Sequence, residues 1–130
     1  QAKTYRYVQS PGTFNSLGMV KIIFPNRFSV YLHDTNHRDY FEKNDRSISS
    51  GCVRVENPLE LTEYLLNDEV NWSLEKITET LQNERTKFVK IKKRVSFHLL
   101  YWTAWSENNK LIFRDDIYNL DANLYNQLRN

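Results

Sequence analysis

The chain has 130 residues, of which 40% are hydrophobic, 14% aromatic and 26% charged, with a formal net charge of +2. That length suits one domain, eight Tyr, seven Phe and three Trp exclude a disordered tail, and so small a charge does not demand nucleic acid. A single Cys excludes an internal disulfide framework and a Cys-rich zinc module, and the longest apolar run, Leu99 to Trp102, falls far short of the roughly 20 residues of a membrane helix.

The chain opens at Gln1, without an initiator Met and without the charged start and apolar stretch of a signal peptide. It reads as a processed chain or a fragment of something longer, and its terminus assigns no compartment. Thr4 to Gln9 alternates bulky and polar groups and predicts a strand. Ser10-Pro11-Gly12 ends it. Met19 to Phe24 and Phe28 to His33 are strand-forming runs around Pro25-Asn26 and predict a hairpin. A short helix is expected over Arg38 to Asn44, then a Ser-rich loop from Arg46 to Gly51 and an apolar patch at Val53 and Val55.

Asn57-Pro58-Leu59-Glu60 predicts a helix start, with Asn57 as cap, Pro58 in the first turn and Glu60 reaching back. Leu59, Leu61, Leu65 and Leu66 supply its apolar face up to about Asn67. Leu74, Ile77 and Leu81 recur at helical spacing within Ser73 to Glu84. Lys87 to Lys92 alternates as an exposed strand does, and the aromatic run Val95 to Trp105 predicts a central buried strand. Asn108-Asn109 turns that run into Leu111-Ile112-Phe113, and a last short helix follows Asp121. A soft boundary falls near Asn67 to Asn71 and divides the chain into 1–67 and 68–130.

The residue types that carry chemistry are few. Cys52 ends a loop of small polar residues, Ser49-Ser50-Gly51, instead of sitting in an apolar run. A lone Cys is commonly an inert core residue; in this setting the amides of Ser50, Gly51 and Cys52 can converge on one oxygen as an oxyanion hole, and a cation at Arg54 favours a thiolate if it reaches the sulfur. His33 ends a predicted strand and matters only if it meets the thiol in space, where it can relay the thiol proton to a leaving amine. Tyr31, Trp102 and Trp105 wall a groove or pack in the core. His37 reads as solvated, His98 as packed within the aromatic strand, and Asp115-Asp116 as a charged turn. Zinc on Cys52 and two His lacks ligand spacing. The basic run Arg85, Lys87, Lys90, Lys92, Lys93 and Arg94 reads as the wet face of an edge strand and not as a nucleic-acid surface, since nearby Glu residues balance it.

Val30-Tyr31-Leu32-His33-Asp34-Thr35 followed by Ser49-Ser50-Gly51-Cys52-Val53-Arg54 resembles the signature of L,D-transpeptidases with a YkuD-type catalytic domain. Pro11-Gly12, Asn15 to Gly18, Lys21 to Asn26, Leu99 to Trp105 and Phe113 to Tyr118 resemble the large periplasmic YcbB-like branch. Ser50 stands where many members have His; the branch resembles the chain there.

The resemblance implies a mostly β, α+β fold with flanking helices. Residues 1–67 are then the C-terminal part of a YkuD-like β-sandwich catalytic domain, and 68–130 a helix and strand extension on it. It implies Cys52 as nucleophile, His33 as general base, Ser49, Ser50 and Gly51 as the oxyanion loop, and Arg54 and Tyr31 in support. Peptidoglycan stem peptides are the implied donor and acceptor, joined as 3→3 cross-links through a Cys52 thioester. Carbapenem β-lactams are implied covalent inhibitors, with no metal or organic cofactor and no nucleic acid. The implied place is the periplasm or cell envelope of a bacterium. A chain holding part of a scaffold is also expected to self-associate through open sheet edges.

Overall fold

The computed structural model describes residues 4–129. Three short strands, β1 (Lys21–Ile22), β2 (Leu32–His33) and β3 (Val53–Arg54), form one sheet in that order. β1 and β2 are antiparallel, and β2 and β3 are parallel. The hairpin expected around Pro25-Asn26 is therefore present, though its ladder is brief. Asn26 organises its turn: Nδ2 donates to the carbonyls of Phe24 and Val30, and Oδ1 accepts from the amides of Phe28 and Val30. The parallel β2–β3 pair needs a crossover, which runs through a 3₁₀ turn at Arg38–Glu42 where a short helix was expected.

Helices α1 (Pro58–Leu66), α2 (Glu69–Trp72) and α3 (Leu74–Gln82) follow. Pro58 opens α1 because its missing N–H is among those a helix leaves unbonded at its start. The expected Asn57 side-chain cap does not form; the first turn is held instead by Thr62 Oγ1 donating to the Pro58 carbonyl at 2.7 Å. Asn67 closes the helix in the left-handed conformation that Asn tolerates. Ser73 caps α3 by accepting from the Lys76 amide. α2 was not anticipated; Asp68 caps it through the Asn71 amide.

The chain divides into two compact units, one through residue 95 and one from residue 96. The 67–71 segment lies inside the first. The second holds the hairpin β4 (Ala104–Glu107) and β5 (Lys110–Phe113) and helix α4 (Asp121–Leu128). Asn108 and Asn109 both take positive φ, 49° and 60°, as a two-residue hairpin turn demands.

Three predicted strands are not formed as strands. Thr4 to Gln9 and Lys87 to Lys92 have no ladder, and only Ala104 and Trp105 of Val95 to Trp105 join one. Apolar alternation supplies a face, but a strand also needs a neighbour to take its backbone hydrogen bonds. Phe97, Leu99, Leu100 and Trp102 are exposed, as is His98, so that run is not a buried centre. The described residues form a small α+β arrangement with short strands. Among them the buried apolar side chains are Leu32, Leu66 and Ile77. No described helix is long and apolar enough to cross a membrane.

Candidate active site

The sheet has two chemically different faces. Register pairs Ile22 with Leu32 and Leu32 with Val53, an apolar row. It also pairs Lys21 with His33 and His33 with Arg54. Side chains alternate along a strand and paired residues share a face. Lys21, His33 and Arg54 thus form a polar row across three strands, on the face opposite Leu32. Tyr31 and Cys52 lie one step along on that polar face.

Backbone bonds fix this placement. The Val53 amide donates to the Tyr31 carbonyl at 3.1 Å, and the Val55 amide to the His33 carbonyl at 2.8 Å. Cys52, the residue before β3, therefore sits against Tyr31. The Tyr31 phenol and the Cys52 thiol face each other, and the Tyr31 ring meets the His33 ring edge-on at 5.7 Å. Loss of water around the phenol, then its bond to sulfur and the thiolate charge, push the Tyr31 pKa above 10.0.

His33 is 5% exposed. Its Nδ1 lies 2.5 Å from the carbonyl oxygen of Asp34. A carbonyl only accepts, so Nδ1 carries the proton and Nε2 is left as the acceptor. The partner that orients His33, which no carboxylate in the sequence suggested, is thus a backbone carbonyl.

The Asp34 side chain, missed by sequence reasoning, anchors the site. Its Oδ2 accepts from the Met19 amide at 2.7 Å, and its Oδ1 takes Arg38 Nη2 at 2.5 Å. Arg38 Nη1 also donates to the Glu56 carbonyl at 2.6 Å, tying the end of β2 to the chain beyond β3. A side chain at Gly18, which has φ +60°, would run into that carboxylate. The available signal was an Asp directly after the strand-ending His, facing Gly18-Met19.

The loop before Cys52 is self-bonded. Ser49 Oγ donates to the Cys52 carbonyl at 2.8 Å and accepts from the Gly51 amide at 3.2 Å. Gly51 has φ +130°, which side chains rarely adopt. With the Gly51 amide engaged, the Ser50 and Cys52 amides are the ones with no hydrogen bond among the described residues. Arg54 stacks its guanidinium over Tyr40 at 5.1 Å, and its buried Nε has no hydrogen-bond partner among the described residues. His37, exposed as expected, stacks on Tyr40 at 5.0 Å.

Two cavities of the first unit lie elsewhere. One, of about 700 Å³, is lined by Val20, Ile22, Leu65, Leu66, Ile77 and Leu81 among others; a second, of about 450 Å³, by Trp72 and polar side chains. Neither includes Cys52 or His33. Among the described residues no three His, Cys, Asp or Glu side chains gather as metal ligands do.

The YkuD family model, described as the L,D-transpeptidase catalytic domain, matches residues 1–91. The chain is 36% identical over 120 residues to a Haemophilus influenzae protein named "Putative L,D-transpeptidase"; the match covers 92% of this chain and 24% of that protein. The chain therefore spans about a quarter of that relative's length. With most of its residues matched by the family model, the chain belongs to the YkuD family of L,D-transpeptidase catalytic domains.

Proposed function

We propose that this chain carries the catalytic pair of a peptidoglycan L,D-transpeptidase of the YcbB-like branch, acting in the periplasm or cell envelope of a bacterium. Its three-stranded sheet is then part of a YkuD-like β-sandwich. The observation that carries the reading is the polar face of that sheet, where the parallel β2–β3 register sets Cys52 against Tyr31, beside a His33 whose Nδ1 is occupied by the Asp34 carbonyl.

The chemistry follows from those positions. Cys52 Sγ attacks the carbonyl carbon of the third residue of a stem tetrapeptide, and His33 Nε2 takes the thiol proton. The Cys52 and Ser50 amides steady the oxyanion. The carbon–nitrogen bond to D-alanine breaks, and His33 gives its proton to the departing amine. A side-chain amine of a neighbouring stem then attacks the thioester and passes its proton to His33. The sulfur leaves, recovers that proton, and a 3→3 cross-link remains. Water in the amine's place yields a tripeptide.

Incubation with a carbapenem tests this. Intact-mass measurement is expected to show one adduct, mapped to Cys52 and absent in Cys52→Ala. No adduct on the native chain, or an adduct that survives in Cys52→Ala, overturns the reading. Product analysis with stem tetrapeptide, with and without an amine acceptor, is expected to separate cross-linked dimer from tripeptide.

A further inference from the structure

The row Lys21–His33–Arg54 sets a cation on each side of the imidazole. The two cations are not equivalent. Arg54 is committed: half-buried, its guanidinium lies on Tyr40. Lys21 is exposed, and no carboxylate pairs with it among the described residues. Its Nζ is held 3.7 Å above the centre of the Tyr31 ring. That same Tyr31 lies beside Cys52 across the β2–β3 ladder. An ammonium is thus parked one aromatic ring away from the nucleophile, beside the base, with its charge unspent.

An anion bound there is constrained by the reaction. His33 must face the leaving nitrogen to protonate it, and a carboxylate on the leaving residue lies one carbon beyond that nitrogen. The geometry points to Lys21 as a specificity-determining residue that binds the free carboxylate of the leaving D-amino acid. This rests on the transpeptidase reading and deepens it by naming the residue that reads the free end of the donor stem. The ring beneath Lys21 supports the ammonium without neutralising it. A charge-assisted bond to a carboxylate then replaces water at little cost in ordering, because the cation is already in place.

Two probes separate this assignment from the catalytic reading, used with the protein at its native full length. One is the stem tetrapeptide ending in D-alanine; the other is the same peptide ending in D-alaninamide. The unaltered enzyme is expected to prefer the acid by about tenfold in kcat/KM, the scale of one hydrogen bond to a charged group. Lys21→Met is expected to raise KM for the acid and bring the acid and amide to the same kcat/KM. Lys21→Arg is expected to retain the preference, which a general loss of structure would not. Turnover with no preference between acid and amide, or a Lys21→Met enzyme that keeps the preference, overturns the assignment and leaves the catalytic reading standing. No release from either peptide and no carbapenem adduct on Cys52 overturns both.

Discussion

The His33 imidazole is tethered by Nδ1 to the carbonyl of Asp34, its own chain neighbour. That bond sets both ring orientation and tautomer, and it comes from backbone. Replacing the Asp34 side chain therefore leaves the acceptor in place. His33→Ala is expected to lower kcat/KM by about 10²–10⁴, the usual share of a positioned acid–base group. Cys52 should still be alkylated in that variant by a small thiol reagent. A His33→Ala enzyme within twofold of the native rate contradicts the assignment.

Tyr31→Phe removes the hydroxyl that faces Cys52 while keeping the ring under Lys21 and beside His33. The Tyr31 pKa is raised by burial and then by Cys52, so the neutral donor persists up to the ordinary value of 10.0 and fades only as pH rises through the higher folded value. At neutral pH the variant should alkylate several-fold more slowly at Cys52, about the worth of one lost hydrogen bond. The gap should close above pH 10.0, where the native donor also ionises. Equal rates at neutral pH would show that the phenol does not assist the sulfur.

Gly18→Ala drives a Cβ toward the buried Asp34 carboxylate at a positive φ. We expect a loss of about 1–3 kcal/mol, the usual cost of such a backbone in a residue other than Gly, read as a lower denaturation midpoint. Asp34→Ala should destabilise similarly, by about 1–3 kcal/mol, because the Met19 amide and the Arg38 guanidinium both lose their acceptor. The double variant should lose less than the sum, since both changes act on one contact.

Asp116 ties down the start of α4: its carboxylate accepts from the Leu120 and Asp121 amides at 3.0 and 2.8 Å. Those amides, Asp121 first, hold its pKa below the ordinary carboxylate value of 3.8. A depressed folded value means that the stabilisation is present above the unfolded pKa and is lost as pH falls through the folded one. α4 should therefore keep its helical signal at pH 5 and lose it in more acid solution. Asp116→Ala should show the weaker helix at neutral pH and little further acid dependence there.

Three buried apolar side chains are a small core, and Tyr7, Phe14, Phe28 and Phe88 are among the many large ones left exposed. The outer edges of β1 and β3 have no strand beside them among the described residues. Such surfaces associate. The chain alone is expected to sediment as concentration-dependent oligomers. A monomer across a hundredfold concentration range, melting cooperatively, would contradict this.

The sequence was most legible where chemistry is local. Pro58 announced α1, the spacing of Leu74, Ile77 and Leu81 announced α3, Asn108-Asn109 announced the β4–β5 turn, and the short helix expected after Asp121 is α4. The runs at Thr4, Lys87 and Val95 misled because pairing is a property of two segments, and alternation in one carries no information about the other. At the site, Cys52, His33 and Tyr31 were visible as residue types. Lys21 and Asp34 were not, since their significance lies in cross-strand register and in a buried contact with Gly18.

His33 and the Cys52 loop are set side by side by neighbouring parallel strands, although they stand 19 positions apart in the sequence. Their mutual distance is consequently set by ladder spacing and is indifferent to how the intervening chain wanders. Insertions or deletions in the outer part of that crossover, near Asn44, are expected to be tolerated as long as Arg38, Tyr40 and Ser49 keep their contacts with Asp34, Arg54 and Cys52. Sequence change there is thereby free to reshape the surroundings of His33 and Cys52 while their spacing stays fixed.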